Sequence, residues 1–232
     1  MIFISPPFGN YLHFSNTIPI KGSFTLEPRS GLFTQILKTL RYSYENRAWI
    51  NKIGLRNKGL DWAIEEYKMS NHEQIISIAI MTKEDIPKIL NKIPQDMNIE
   101  LNVSCPNAEK KMINQGLSEF VRDKRKWCII KVSPTTSLDT LDDYYKQGFR
   151  QFHCSNTLPT PMGGMSGRQL IPYNEKLIKH LKKNYQDIEV IGGGGIQTKQ
   201  DIEVYRKFGA DHFAMSTLFF CPYKAYKLLN SL

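Results

Sequence analysis

Glu100-Leu-Asn-Val-Ser-Cys-Pro-Asn107 is the stretch on which the reading of this chain turns. It reads as a strand that must stop at Cys105, because Pro106 has no N–H and its ring forces a turn. Alternate residues of a strand share a face, so Asn102 and Ser104 point one way and Val103 the other. Cys105 and Asn107 then sit just past the strand's C-terminal end, which is where parallel α/β proteins bind ligands. One short run thus offers a thiol, a hydroxyl and two amides to a common place. A small buried cysteine ahead of a turn is the alternative reading, and the neighbouring strands decide between them.

Working outward, apolar strands and helical stretches alternate. Strands are expected at Ile2–Ser5, Ile18–Phe24, Ile75–Ile80, Ile99–Ser104, Trp127–Ser133, Arg150–Ser155, Glu189–Ile191 and His212–Met215. Helical spacing marks Gly31–Tyr42, Leu60–Met69, a segment opened by Thr82, Gly116–Lys124, Leu138–Lys146, Asn174–Asn184, Lys199–Phe208 and the C-terminus. Asn51–Asn57 reads as a polar loop, and a long Gly/Pro-rich loop separates Ser155 from Pro172. Eight parallel strands with helical crossovers predict a (β/α)8 barrel over residues 1–232 as one domain, with an open doubly wound sheet as the runner-up. The first βα unit is truncated: Pro6–Thr17 leaves room for only a short crossover.

The chain has 232 residues, a net charge of +9 and 41% hydrophobic residues, an ordinary globular composition. No apolar run is long enough to span a membrane, and the N-terminus lacks signal-peptide features, so a soluble, cytoplasmic protein is expected. Basic residues fall on presumed helix faces without interleaved aromatics, which argues against nucleic acid as a partner. Four widely spaced cysteines give no expectation of disulfides or of a metal site; Cys128 and Cys154 lie in apolar runs and read as inert core.

Polar residues gather at the C-terminal ends of the strands: Lys21-Gly-Ser, Asn102 to Asn107, Lys131-Val-Ser-Pro, Ser155-Asn-Thr157, Gly192-Gly-Gly-Gly195 and Ser216-Thr217. Glycines after the seventh strand suit phosphate, since they let backbone N–H groups approach closely. Lys131, set in an apolar strand, needs an anionic partner. A flavin edge that becomes negative on reduction would serve, and an ion pair inside the barrel with a residue such as Glu100 is the alternative. Asn51, Asn102, Asn107 and Asn156 each bring a donor and an acceptor, as a pyrimidine ring demands, though each alone also suits a turn or cap.

Together these segments resemble the dihydroorotate dehydrogenase family of flavin-dependent barrel enzymes. The resemblance runs through Thr25–Gly31, Asn51–Asn57, Leu101–Asn107, Ile130–Pro134, Ser155–Thr157, Gly163–Arg168 and Ile191–Ile196, in family order. It implies FMN bound by Lys21, Asn102, Lys131, Ser155, Gly164, Gly194, Gly195, Ser216 and Thr217. A dihydropyrimidine would be held by Asn51, Gly54, Leu55, Asn102, Asn107, Asn156 and Thr157. Cys105 corresponds to the general base of the soluble class, with Lys131 beside the flavin; the short crossover, which would leave apolar strand surface uncovered, predicts a homodimer or a tighter hetero-complex. The chain departs from the family at the Ser5-Pro-Pro-Phe-Gly-Asn10 loop, in the short first crossover, and in Lys21, which stands one position too far from Leu-Glu-Pro-Arg.

Overall fold

The computed structural model describes residues 1–103, 116–121 and 125–232; Ser104, Cys105 and Asn107 lie outside them. In chain order the strands are β1 (Ile2–Ile4), β2 (Thr17–Phe24), β3 (Arg41–Ser43), β4 (Ala48–Asn51), β5 (Ile75–Ile78), β6 (Ile99–Asn102), β7 (Cys128–Val132), β8 (Gln151–Cys154), β9 (Leu158–Thr160), β10 (Gly163–Met165), β11 (Glu189–Gly193) and β12 (His212–Met215). The helices are α1 (Leu32–Thr39), α2 (Leu60–Met69), α3 (Asp85–Lys92), α4 (Leu138–Lys146), α5 (Ile171–Asn184), α6 (Lys199–Phe208) and α7 (Pro222–Leu229). β1, β2, β5, β6, β7, β8, β11 and β12 close into a parallel barrel, the fold expected from the alternation. None of the helices among the described residues is long and apolar enough to cross a membrane.

Period-two alternation divides the barrel residues into two sets. Phe3, Ile18, Ile20, Ile75, Trp127, Ile129 and Ile191 form a separate cluster that fills the lower interior. Ile4, Ile76, Leu101, Ile130, Val132 and Cys154 face outward into the larger cluster shared with the helices. Cys154 is fully buried and burial pushes its thiol up to about 12, as an inert core cysteine should behave.

Four short strands escape the hydrophobic pattern. β3, β4, β10 and β9 form an antiparallel sheet drawn from segments expected to be helix end and loop. Gly163 permits this: a Cβ there would stand 2.3 Å from the Asn51 carbonyl oxygen. Of the expected helix Gly116–Lys124, the described stretch Leu117–Val121 is a 3-10 helix.

The shortened first crossover is closed by a single 3-10 turn, Phe8–Asn10. Phe8 and Leu12 pack against the main core, and Phe14 stacks on Phe219. Gly9 lies so close to the strands that a Cβ would meet the carbonyl oxygens of Ile20 and Ile4 at 2.2 and 2.3 Å. The Asn10 side chain accepts the Gly22 N–H at 2.8 Å, taking the place of a strand partner. By contrast α1 buries none of its residues, and Phe33 and Leu37 stand 80% and 86% exposed. Gly9→Ala should therefore destabilise the protein by about 1–3 kcal/mol, the usual cost of overpacking. Urea unfolding would measure it, and an unchanged midpoint would mean the turn is not seated on the strands.

Candidate active site

The upper half of the barrel interior is polar. On β6, Glu100 shares the inward face with Asn102, and the register of β6, β7 and β8 sets Asn102 beside Lys131 and Lys131 beside His153. Glu100 has no exposure, and Lys131 and His153 are also buried. The Lys131 ammonium stands 3.5 Å from Glu100 Oε1, so the ion pair considered from sequence is present. His153 Nδ1 lies 2.6 Å from Glu100 Oε2, and Ser77 donates its hydroxyl to Oε1 at 2.8 Å. Burial alone would push the Glu100 carboxyl up, but Lys131, then His153 and Ser77, outweigh it and hold the group down to about 2. His153 is shifted downward, by burial first and by Lys131 second, against the pull of Glu100. The set is therefore ammonium, carboxylate and neutral imidazole.

From this centre a line of hydrogen bonds climbs to the mouth. Ser77 and Ser23 hydroxyls lie 2.9 Å apart, Asn102 donates to Ser23 at 2.7 Å, and Asn156 donates to the Asn102 oxygen at 3.1 Å. Asn156 in turn accepts the Thr157 N–H at 2.8 Å. Asn102, Lys131 and Asn156 are thus brought together as expected. Asn51 ends β4 and pairs with Gly164 of β10, whose other neighbour β9 begins just past Thr157, so the small sheet carries Asn51 to the same mouth. Gly54 and Leu55 lie in the following turn with φ of 74° and 54°.

Two of the expected residues direct their side chains elsewhere. Lys21 follows Ile20, which faces the interior, and pairs with Ile76, which faces the helices. It therefore points out of the barrel, where its charge acts on the His72 imidazole. The β2–β5 register shifts between Gly22 and Phe24, so the extra residue of this segment is absorbed in a bulge that turns Ser23 inward instead. Ser155 does not offer its hydroxyl to the mouth; it donates to Asn174 of α5 at 2.6 Å. Asn174 also donates to the Gly193 carbonyl and to Tyr205, whose hydroxyl reaches the Gly194 carbonyl at 2.7 Å. Ser155 thus braces the glycine turn from behind.

That turn carries Gly194 and Gly195 at φ of 105° and 76°. Gly194 and Gly195 follow β11 and Ser216 and Thr217 follow β12, so their backbone N–H groups are gathered at two neighbouring strand ends. The Ser216 hydroxyl bonds to the Pro6 carbonyl at 2.9 Å. Ser5, just past β1, has a buried hydroxyl oxygen with no partner among the described residues. Glu100, Ser77 and His153 follow from the inward alternation of their strands, a signal that the chain-end clusters alone do not carry.

The sequence profile described as dihydroorotate dehydrogenase matches residues 10–135, more than half of the chain. The chain belongs to the dihydroorotate dehydrogenase family. The catalytic subunit of dihydroorotate dehydrogenase B (NAD(+)) from Enterococcus faecalis is 30% identical over 217 residues, covering 79% of this chain and 69% of that protein. The subunit of the same name from Thermotoga maritima is 24% identical over 255 residues, covering 95% of this chain and 91% of that protein. The Bacteroides thetaiotaomicron subunit is 29% identical over 72% of this chain and 66% of its own length. Among solved structures, the ligand-free dihydroorotate dehydrogenase of Eimeria tenella superposes with a TM-score of 0.77 at 17% identity, covering 99% of this chain and 82% of that chain, and supports the fold. Dihydroorotate dehydrogenases are oxidoreductases, and these relatives carry that name.

Glu100→Gln would leave the Lys131 charge buried beside a neutral amide, and should cost about 3–5 kcal/mol at neutral pH. Because the carboxyl is held near 2 in the fold against an ordinary 4.5, its contribution is complete above 4.5 and is lost as pH falls toward 2. The stability gap between wild type and Glu100→Gln should therefore narrow when denaturation is repeated below pH 4.5. A gap independent of pH would show that the carboxylate charge does not matter.

Proposed function

We propose that this protein oxidises dihydroorotate to orotate with a bound flavin mononucleotide. The observation that carries the reading is the meeting of Lys131, Asn102 and Asn156 on one polar barrel mouth, with Gly194, Gly195, Ser216 and Thr217 at the neighbouring ends of β11 and β12. The donor set fits the flavin nucleotide: Gly194, Gly195, Ser216 and Thr217 would hold the phosphate, and Ser5 and Lys131 would meet the ring. When bound, the flavin supplies the hydride acceptor.

The chain's own residues do the rest. Asn51, Asn102, Asn107 and Asn156 would orient the pyrimidine, with Gly54, Leu55 and Thr157 beside it and Gly164 supporting Asn51 through the small sheet. Cys105 would remove the ring proton adjacent to the carbonyl. A thiol near its usual value of about 8.5 needs modest activation for this. Lys131 would set positive charge beneath the ring, while Glu100 keeps that charge in place.

The setting proposed is the cytoplasm. The relatives are named as catalytic subunits, and α1 exposes Phe33 and Leu37, which supports association with a second chain. A homodimer would scatter light at about twice the 26.8 kDa chain mass; a different protein subunit is the other reading. Purified protein should be yellow, release flavin mononucleotide on denaturation, and bleach anaerobically with dihydroorotate. Colourless protein that takes up no flavin would end this reading. Cys105→Ala should bind orotate but reduce flavin about 10²–10⁴-fold more slowly, the usual weight of a general base. Equal rates across about pH 6–9 would remove Cys105 from the mechanism.

A further inference from the structure

On the flavin reading above, we propose that His153 is a proton acceptor coupled to reduction: it takes a proton at Nε2 when negative charge develops beside Lys131. The argument starts from geometry. Glu100 is a carboxylate that can only accept, so the 2.6 Å contact requires His153 to carry its proton on Nδ1. Nε2 is left as a basic lone pair. It faces the backbone of β11, where a Cβ on Gly193 would come within 3.1 Å, and it has no hydrogen-bond partner among the described residues. The charged groups facing the ring are Glu100 from β6 and Lys131 from β7; β11 brings only Ile191 and Gly193, neither ionisable.

With Lys131 positive and Glu100 negative, a neutral His153 makes the set neutral overall. Placing one negative charge against Lys131 breaks that balance and removes the cation that opposes protonation of the imidazole. Two-electron reduction delivers two electrons and one proton to the flavin ring, leaving it with one negative charge. A second proton, taken from solvent, forms the Nε2–H bond of His153. Two electrons and two protons are then taken up in all, and the buried set is neutral again.

The test is the pH dependence of the flavin midpoint potential in the holoprotein, followed by dithionite titration against reference dyes. Each proton taken up with two electrons changes the equilibrium tenfold per pH unit, or about 30 mV. Wild type should fall by about 60 mV per pH unit below the reduced-state titration of His153, easing to about 30 mV above it. His153→Asn, which can still donate to Glu100 but cannot take a proton, should hold about 30 mV throughout. The reduced-minus-oxidised infrared spectrum should show an imidazolium ring mode in wild type that is missing from the variant. A wild-type slope of about 30 mV from pH 6 to 8 would overturn the proposal without recourse to any variant, as would a variant that keeps the steeper slope. Protein that binds no flavin would instead overturn the reading on which the proposal rests.

Discussion

A carboxylate with no access to water stands in the middle of this barrel, and the rest of the site is arranged around keeping it charged. Moving an isolated carboxylate out of water costs several kcal/mol even after relaxation. Glu100 is tolerated because each oxygen is met: Oε1 by Lys131 and Ser77, Oε2 by His153. These partners come from β5, β7 and β8, so the ion set depends on the barrel being closed in this register. The lower interior has no such burden and is filled by Phe3, Trp127 and branched aliphatic side chains. The polar layer therefore begins where the apolar plug ends, and the mouth above it is suited to a polar ligand.

Two supports carry order from that layer to the mouth. Inside, the line Ser77, Ser23, Asn102, Asn156 fixes which way each amide points, because every bond has a defined donor once Glu100 can only accept. Behind the glycine turn, Ser155, Asn174 and Tyr205 hold the Gly193 and Gly194 carbonyls. The Ser155–Asn174 bond of the second support is buried, while the first runs from buried Ser77 to half-buried Asn156, and fixed hydrogen-bond partners of this kind are what precise placement of a ligand requires.

The barrel was legible in the sequence because long apolar strands and amphipathic helices alternate, a signal that survives local irregularity. The small sheet was not, since β3, β9 and β10 are three residues each and β9 contains Pro159. Strands that short carry no periodicity to read. The direction of Lys21 is hidden for a related reason: it lies within β2, and only counting faces shows that Ile20 beside it occupies the inward one. His153 was missed by the opposite error. It sits two residues before Ser155 in an apolar run, and attention to chain ends hides a titratable group placed one layer deeper.

The truncated first unit looks like a defect only if every strand needs a full helix to cover it. β1 is three residues long, and its outward side chains are Ile2, partly buried, and Ile4, fully buried. Phe8 and Leu12 are enough to help cover so small a face, and a 3-10 turn can sit directly on the strands because Gly9 has no side chain to hold it off. What a helix would have supplied in spacing, Asn10 supplies in hydrogen bonding, by taking the Gly22 N–H next to the β2 bulge. The same bulge turns Ser23 inward to Asn102. The short crossover and the β2 bulge are therefore in direct contact. They meet at Gly22, and together they leave the mouth with the ordered amides that the rest of the barrel is built to present.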